Sequence, residues 1–211
     1  MPIDSIRRDY AKSTLSESDA DANPLRQFSV WIEQALAAKL PEPNAMTLAT
    51  ASGDGAPSAR MVLLRGFDER GFCFYTDYRS RKGRELTENP SAALVFHWPE
   101  LERQVRITGS VERVSREESE EYFRSRPPGS RIAAWTSHQS SVIPNRDDLD
   151  SRYAELSAKF SAGDIPLPDY WGGFRVVARE IEFWQGRSSR LHDRLLYSRD
   201  EKGWKLARLS P

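Results

Sequence analysis

The chain contains a single cysteine, Cys73, inside the apolar run GFCFYTD. One thiol excludes an internal disulfide framework and favours a reducing compartment. Histidine is almost as sparse. His97, His138 and His192 lie far apart and lack the short Cys/His spacings of zinc sites, so no metal is expected. Neither sign of charge dominates, because Lys plus Arg and Asp plus Glu each total 31. That balance removes the broad field of a nucleic-acid-binding or membrane-surface protein, so any anion site must be local. No stretch approaches the roughly 18 apolar residues of a membrane span, and the polar start MPIDSIRRDYAKSTLSESDADANP has no signal-peptide core. A cytoplasmic location is expected. The familiar nucleotide and hydrolase signatures are missing too: there is no Walker loop, no GxSxG elbow and no HExxH, and GDGAPS at 53–58 reads as a hairpin turn.

What remains is an ordinary soluble composition, 38% apolar and 29% charged over 211 residues, enough for one domain with a sizeable core. Residues 1–22, charged and rich in Ser and Asp, read as a mobile arm in which Arg7, Arg8 and Tyr10 stand out, followed by a single domain over 23–211. Asn23-Pro24 is a helix start, with Leu25, Phe28, Ile32 and Leu36 at helical spacing up to Pro41. From Met46 the period changes to two. MTLATAS, SARMVLLRGF and GFCFYTD form a meander, SRKGRELTENP is helical, and SAALVFHW and RQVRITGSVERV are strands. REESEEYFRSR and NRDDLDSRYAELSAKF read as helices on either side of an irregular segment, and FRVVAREIEFWQ, RLHDRLLYSR and WKLARLS close the chain as strands. Seven or eight short strands with few helices between them predict a mainly β fold with peripheral helices, built as an antiparallel barrel.

Four clusters could carry chemistry. If RLHDRLLY is a strand, Arg190, His192 and Arg194 share one face, which is either a solvated edge or the wall of a pocket for an anionic aromatic ligand. In RMVLLR, odd parity puts Arg60 and Arg65 on opposite sides, where they reach solvent or serve two different anions. SRKGR opens a helix directly after a strand, so Arg81 and Lys82 could add charge to the free N–H groups of a helix N-terminus, or simply be solvated. Tyr122, Arg126 and Ser130 follow a spacing of four that could line up phosphate donors, or else mark a capped helix end stopped by Pro127.

Taken together the strings RRDY, ARMVLLRGF, FYTDYRSRKGREL, LERQVRITG, YFRSRP, SHQSSVIP, WGGFRV, IEFWQGRSSRLHDR and RLSP resemble the pyridoxamine 5′-phosphate oxidase family, in its order and over nearly the whole chain. The resemblance implies an FMN-binding split barrel in a homodimer whose two active sites cross the subunit interface. It implies oxidation of pyridoxamine or pyridoxine 5′-phosphate by O2 to pyridoxal 5′-phosphate and H2O2, with hydride passing from substrate C4′ to flavin N5. Position by position, it implies flavin contacts from Arg60, Met61, Val62, Leu63, Leu64, Tyr75, Thr76, Arg81, Lys82, Gln104, Gln139, Ser140, Trp184 and Arg194. Arg65, Tyr122, Arg126 and Ser130 would hold the substrate phosphate, Arg190 and His192 would act catalytically against the pyridine ring, and Arg7, Arg8 and Tyr10 would close over it. Arg65 stands where the family commonly has lysine, and Glu42 where some members have aspartate. The alternatives are another FMN-dependent split-barrel oxidoreductase and a non-catalytic flavin- or pyridoxal-phosphate-binding protein.

Overall fold

In the computed structural model, residues 9–161 and 163–211 are described. They form nine strands and five α-helices in the order α1 (Pro24–Ala37), β1 (Ala45–Ala51), β2 (Pro57–Leu63), β3 (Gly66–Asp68), β4 (Gly71–Asp77), α2 (Arg81–Glu88), β5 (Ser91–Trp98), β6 (Arg103–Arg113), α3 (Arg116–Ser125), α4 (Pro128–Thr136), α5 (Arg146–Lys159), β7 (Trp171–Gln185), β8 (Asp193–Asp200) and β9 (Gly203–Arg208). Among the described residues no helix is long and apolar enough to cross a membrane.

Every strand pair is antiparallel, and the sheet runs β2-β1-β5-β6-β7-β4-β3 with β8 and β9 branching from β7. The fork arises because β7 is long enough to change partners: residues 171–176 pair with β4 and residues 180–185 with β8, while β6 follows almost the whole of its other edge. A bulge between Thr108 and Gly109 bends β6 at the changeover. There a Cβ on Gly109 would lie 2.1 Å from the Val177 carbonyl oxygen, so only glycine fits. The result is a curled antiparallel half-barrel, in keeping with the antiparallel barrel that the alternating runs predict and the split barrel that the resemblance implies.

The inward alternation of the strands supplies the core. Met46, Leu48, Phe72, Phe74, Leu94, Phe96, Val105, Ile107, Ile181, Phe183 and Leu195 are all fully buried. Helix α1 closes one end. Asn23 caps it by accepting the Leu25 N–H at 2.8 Å with Pro24 in the first turn, as the Asn-Pro start predicts. Phe28 then meets Phe67, Phe72 and Phe96 at ring separations of 4.8–5.0 Å. The buried stripe is Leu25, Phe28, Trp31, Ile32 and Ala35, whereas Leu36, read as part of it, is 58% exposed.

Three further readings need correction. The segment read as irregular contains α4, because Pro128 can start a helix directly after the Arg126-Pro127 stop. SARMVLLRGF is two strands: β2 ends at Leu63, after which the Leu64 N–H goes to the Asn44 carbonyl and the Arg65 N–H to the Cys73 carbonyl. Finally, from Tyr10 to Asp21 the segment read as an arm lies along the barrel. The Ala11 and Lys12 N–H groups donate to Glu102 at 2.9 and 3.0 Å, Leu15 is buried, and Tyr197 donates its hydroxyl to the Asp21 carbonyl at 2.7 Å.

Candidate active site

A cleft of about 430 Å³ opens beside edge strand β2, which pairs with β1 alone and so offers its outer backbone groups to a ligand. Its lining includes Arg60, Met61, Val62, Leu63, Arg65, Tyr75, Thr76, Lys82, Tyr122, Arg126, Ser130 and Gln139, all named from the sequence, and Trp171, which was not. Among the described residues four cations and no carboxylate line the cleft.

One end of the cleft is built around the start of α2. Ser80 caps that helix, and its first turn presents Arg81 and Lys82. The Lys82 ammonium, largely buried, donates to Gln139 Oε1 at 2.8 Å and to Thr76 Oγ1 at 3.3 Å. Burial and the neighbouring Arg60 charge push its pKa down to about 8. The loop carrying Gln139 is fastened at its next residue, where the Arg81 N–H donates to Ser140 Oγ at 3.1 Å. Arg60 reaches the same end and pairs with Glu85 at 3.1 Å. Glu85 also accepts from Thr50, Ser58 and Arg81. Despite the opposing effect of burial, these donors hold its carboxyl at about 2. Glu85 therefore fixes Arg60 and Arg81. The four-residue spacing from Arg81 on a helix was the signal that could have found it.

The other end is aromatic and cationic. Tyr75 and Tyr122 stack at 3.9 Å, with Trp171 parallel to both at 5.8 and 6.2 Å. Burial raises the Tyr75 hydroxyl to about 12, so it stays protonated. The Arg126 guanidinium lies over Trp171 at 4.7 Å, and its Nη1 is buried without a hydrogen-bond partner among the described residues. Burial, with the nearby Arg65 charge, lowers its pKa.

The expected geometry changes at three points. Arg60 and Arg65 line one cleft despite their odd spacing, because the strand breaks between them and parity does not carry across. Tyr122, Arg126 and Ser130 do meet, but not along a single helix: Arg126 caps α3 and Ser130 lies in α4, so the corner at Pro127 brings them together. Leu64 is buried behind the cleft rather than in it.

The remaining named residues form a second group that does not line this cleft. Gln104, Trp184 and Arg194 make one cross-strand row over β6, β7 and β8, facing away from the core residues Val105, Phe183 and Leu195. Arg194 is held by Glu182 at 2.7 Å, which raises its pKa. Trp184, His192 and Tyr10 pack together at ring separations of 4.6–5.8 Å. RLHDR is not all strand: Ser188–Arg190 is a 3₁₀ turn and β8 begins at Asp193, so alternation does not order Arg190, His192 and Arg194 on one face. Arg190 is exposed, and His192, half-buried, has its pKa lowered by burial and by the Arg190 charge. Arg7 and Arg8 lie outside the described residues.

Comparison with known proteins bears on both groups. Residues 32–160 match the family described as pyridoxamine 5′-phosphate oxidase, and residues 171–211 match the pyridoxine 5′-phosphate oxidase C-terminal dimerisation region. A pyridoxine/pyridoxamine 5′-phosphate oxidase of Nostoc punctiforme is 63% identical over 207 residues, covering 98% of this chain and 97% of the relative. Among solved structures, PhzG of Burkholderia lata, in complex with tetrahydrophenazine-1-carboxylic acid, aligns with a TM-score of 0.89 at 35% identity, over 94% of this chain and 98% of that one. A pyridoxamine 5′-phosphate oxidase-related, FMN-binding protein of Nostoc punctiforme shares the fold, with a TM-score of 0.72 at 19% identity over 90% and 99% of the two chains. With matched segments that take in both halves of the site, this chain belongs to the pyridoxamine 5′-phosphate oxidase family.

Proposed function

We propose that the protein is an FMN-dependent oxidase that converts pyridoxamine 5′-phosphate or pyridoxine 5′-phosphate, with O2, to pyridoxal 5′-phosphate and H2O2. The observation that carries this reading is the acid-free cleft in which Arg60, Arg65, Lys82 and Arg126 converge, one of them with a buried N–H that has no acceptor. Glu85 already offsets the Arg60 charge, and the positive excess left at Arg65, Lys82 and Arg126 suits phosphate. Two phosphate monoesters bring about −3 to −4 at neutral pH, the sign of charge that this cleft can take up.

The two ends divide the work. Arg60, Arg81, Lys82, Gln139 and Ser140 suit the FMN phosphate, with Met61–Leu63, Tyr75 and Thr76 running along the flavin. Arg65, Tyr122, Arg126 and Ser130 suit the substrate phosphate, where Arg65 offers a planar fork for two parallel hydrogen bonds. When bound, FMN supplies a hydride acceptor at N5 and passes the electrons to O2. The amine reaction consumes O2 and water and releases ammonia with the peroxide; the alcohol reaction needs O2 alone.

Gln104, Trp184, Arg190, His192 and Arg194 lie outside the cleft of their own chain, and the match to a dimerisation region covers the last four. In a two-fold dimer, each copy can present this group to the other's cleft. Arg190 and His192 of the partner subunit then hold the substrate ring, so that orientation rather than bond chemistry is the protein's contribution. A cytoplasmic location fits the lone cysteine.

The test is spectroscopic. Purified protein should be yellow, bleach anaerobically with pyridoxamine 5′-phosphate and recover colour in air with one peroxide per aldehyde. Flavin that stays yellow would instead indicate another split-barrel oxidoreductase or a carrier.

A further inference from the structure

The loop that joins β7 to β8 presents Arg190 and His192 and is under visible constraint. Ser189 and Arg190 are both left-handed, at φ 55° and 61°, a backbone that non-glycine residues keep only where their surroundings impose it. Within the loop, the Arg187 N–H donates to His192 Nδ1 at 3.1 Å, so neutral His192 carries its proton on Nε2. The Arg187 side chain in turn donates to Asp193 Oδ2 at 2.9 Å.

Asp193 gathers more than this loop. The same Oδ2 accepts the Leu15 N–H of the N-terminal strap at 3.1 Å, and Oδ1 accepts Arg208 Nη1 of β9 at 2.8 Å. Arg208 then reaches outward, donating to Glu17 at 2.9 and 2.7 Å and to the Leu15 carbonyl at 3.2 Å. Along the strap, Tyr10 packs edge-on against Trp184 and His192. Only 15% of the Asp193 side chain is exposed, against 51% for Glu17, so the inner carboxylate is the one that organises the site.

We propose that Asp193 is a positioning residue: its carboxylate sets the Arg190–His192 loop and locks it to the N-terminal strap, with Arg208 acting through it. One side chain thus ties three distant segments, and the strap and loop share one anchor. An amide cannot replace it, because a neutral oxygen cannot serve two guanidinium groups and a backbone N–H with equal strength. The proposal rests on the oxidase function above, since the loop is read as the substrate-side element.

The experiment compares holoenzymes of wild type, Asp193→Asn, Arg208→Gln and the double variant, oxidising pyridoxamine 5′-phosphate well below their melting temperatures. Asp193→Asn should lose about 30- to 100-fold in kcat/KM, mostly in kcat, with flavin content unchanged, as expected for a displacement of about 1 Å. Arg208→Gln should lose less, about 3- to 10-fold, and the double variant should be no worse than Asp193→Asn alone. A role in stability only would lower Tm, leave kcat/KM near wild type and make the two changes independent; that result overturns the proposal. If Asp193→Asn does not fold, Arg208→Gln with wild-type kcat/KM overturns it equally. An inactive wild type would refute the oxidase function, whereas an active wild type with an unaffected Asp193→Asn refutes this proposal alone.

Discussion

Arg126→Met should stabilise the ligand-free protein while impairing substrate capture. Nη1 of Arg126 is buried and unpartnered, and a buried donor without an acceptor costs about 1–3 kcal/mol. Against that gain stands the loss of the guanidinium over Trp171 at 4.7 Å, worth about 0.5–2 kcal/mol. Methionine keeps much of the aliphatic contact without a charge. The balance is about +1 kcal/mol, or a rise in Tm of about 2–4 °C for a domain of this size. Substrate phosphate, by contrast, loses a charge-assisted bond of about 1.5–3 kcal/mol. At 1.4 kcal/mol per decade this lowers kcat/KM about 10- to 150-fold. Thermal melting of the flavin-free protein and steady-state kinetics with pyridoxamine 5′-phosphate measure both effects. A variant that melts lower than wild type and keeps its KM would show that Arg126 is neither destabilising nor a phosphate ligand.

Lys82 and Gly173 give three further predictions. Lys82 loses its proton near pH 8, well below its ordinary value, so FMN affinity of the flavin-free protein should fall as pH rises through about 8, while the phosphate stays dianionic above about 6. Quenching of flavin fluorescence reads this out; Lys82→Met should bind weakly at pH 7 with no such slope, and a flat wild-type profile contradicts the assignment. Because the unfolded chain keeps this proton to higher pH, the ligand-free fold should also gain stability between pH 8 and about 10. Gly173→Ala puts a Cβ 2.8 Å from Tyr75 Cε1 and 2.6 Å from Val114 Cγ2, which forces Tyr75 from its stack on Tyr122. A loss of about 1–3 kcal/mol and a raised KM are expected, and an unchanged melting curve would contradict this.

The period-two runs carried the sheet, because alternation follows directly from burying one face, and Asn23-Pro24 carried the start of α1 because its capping is local. What failed depended on tertiary partners. The parity of Arg60 and Arg65 holds only if the strand continues, and the exchange of partners at Leu64 is invisible in RMVLLR. Tyr122, Arg126 and Ser130 come together through a helix-to-helix corner and not along one helical face, which their spacing of four could not show. Glu85 and Asp193 looked like ordinary surface carboxylates among many, since only the fold shows that hydroxyls, guanidinium groups and the Leu15 N–H converge on them. The separation of Trp184, Arg190 and Arg194 from the cleft had no local signal in the sequence, and only the family resemblance, with the active sites across a subunit interface that it implies, leaves room for it.

The proposed sharing of the site between subunits can be tested by mixing them. Arg126→Ala and Arg190→Ala damage different halves of the site, so each homodimer should be nearly inactive. Random exchange between them produces dimers in which half are mixed, each with one intact and one doubly damaged site. Activity is expected to return to about one quarter of wild type. A mixture no more active than the average of its two parents would place both residues in the same subunit's site and contradict it.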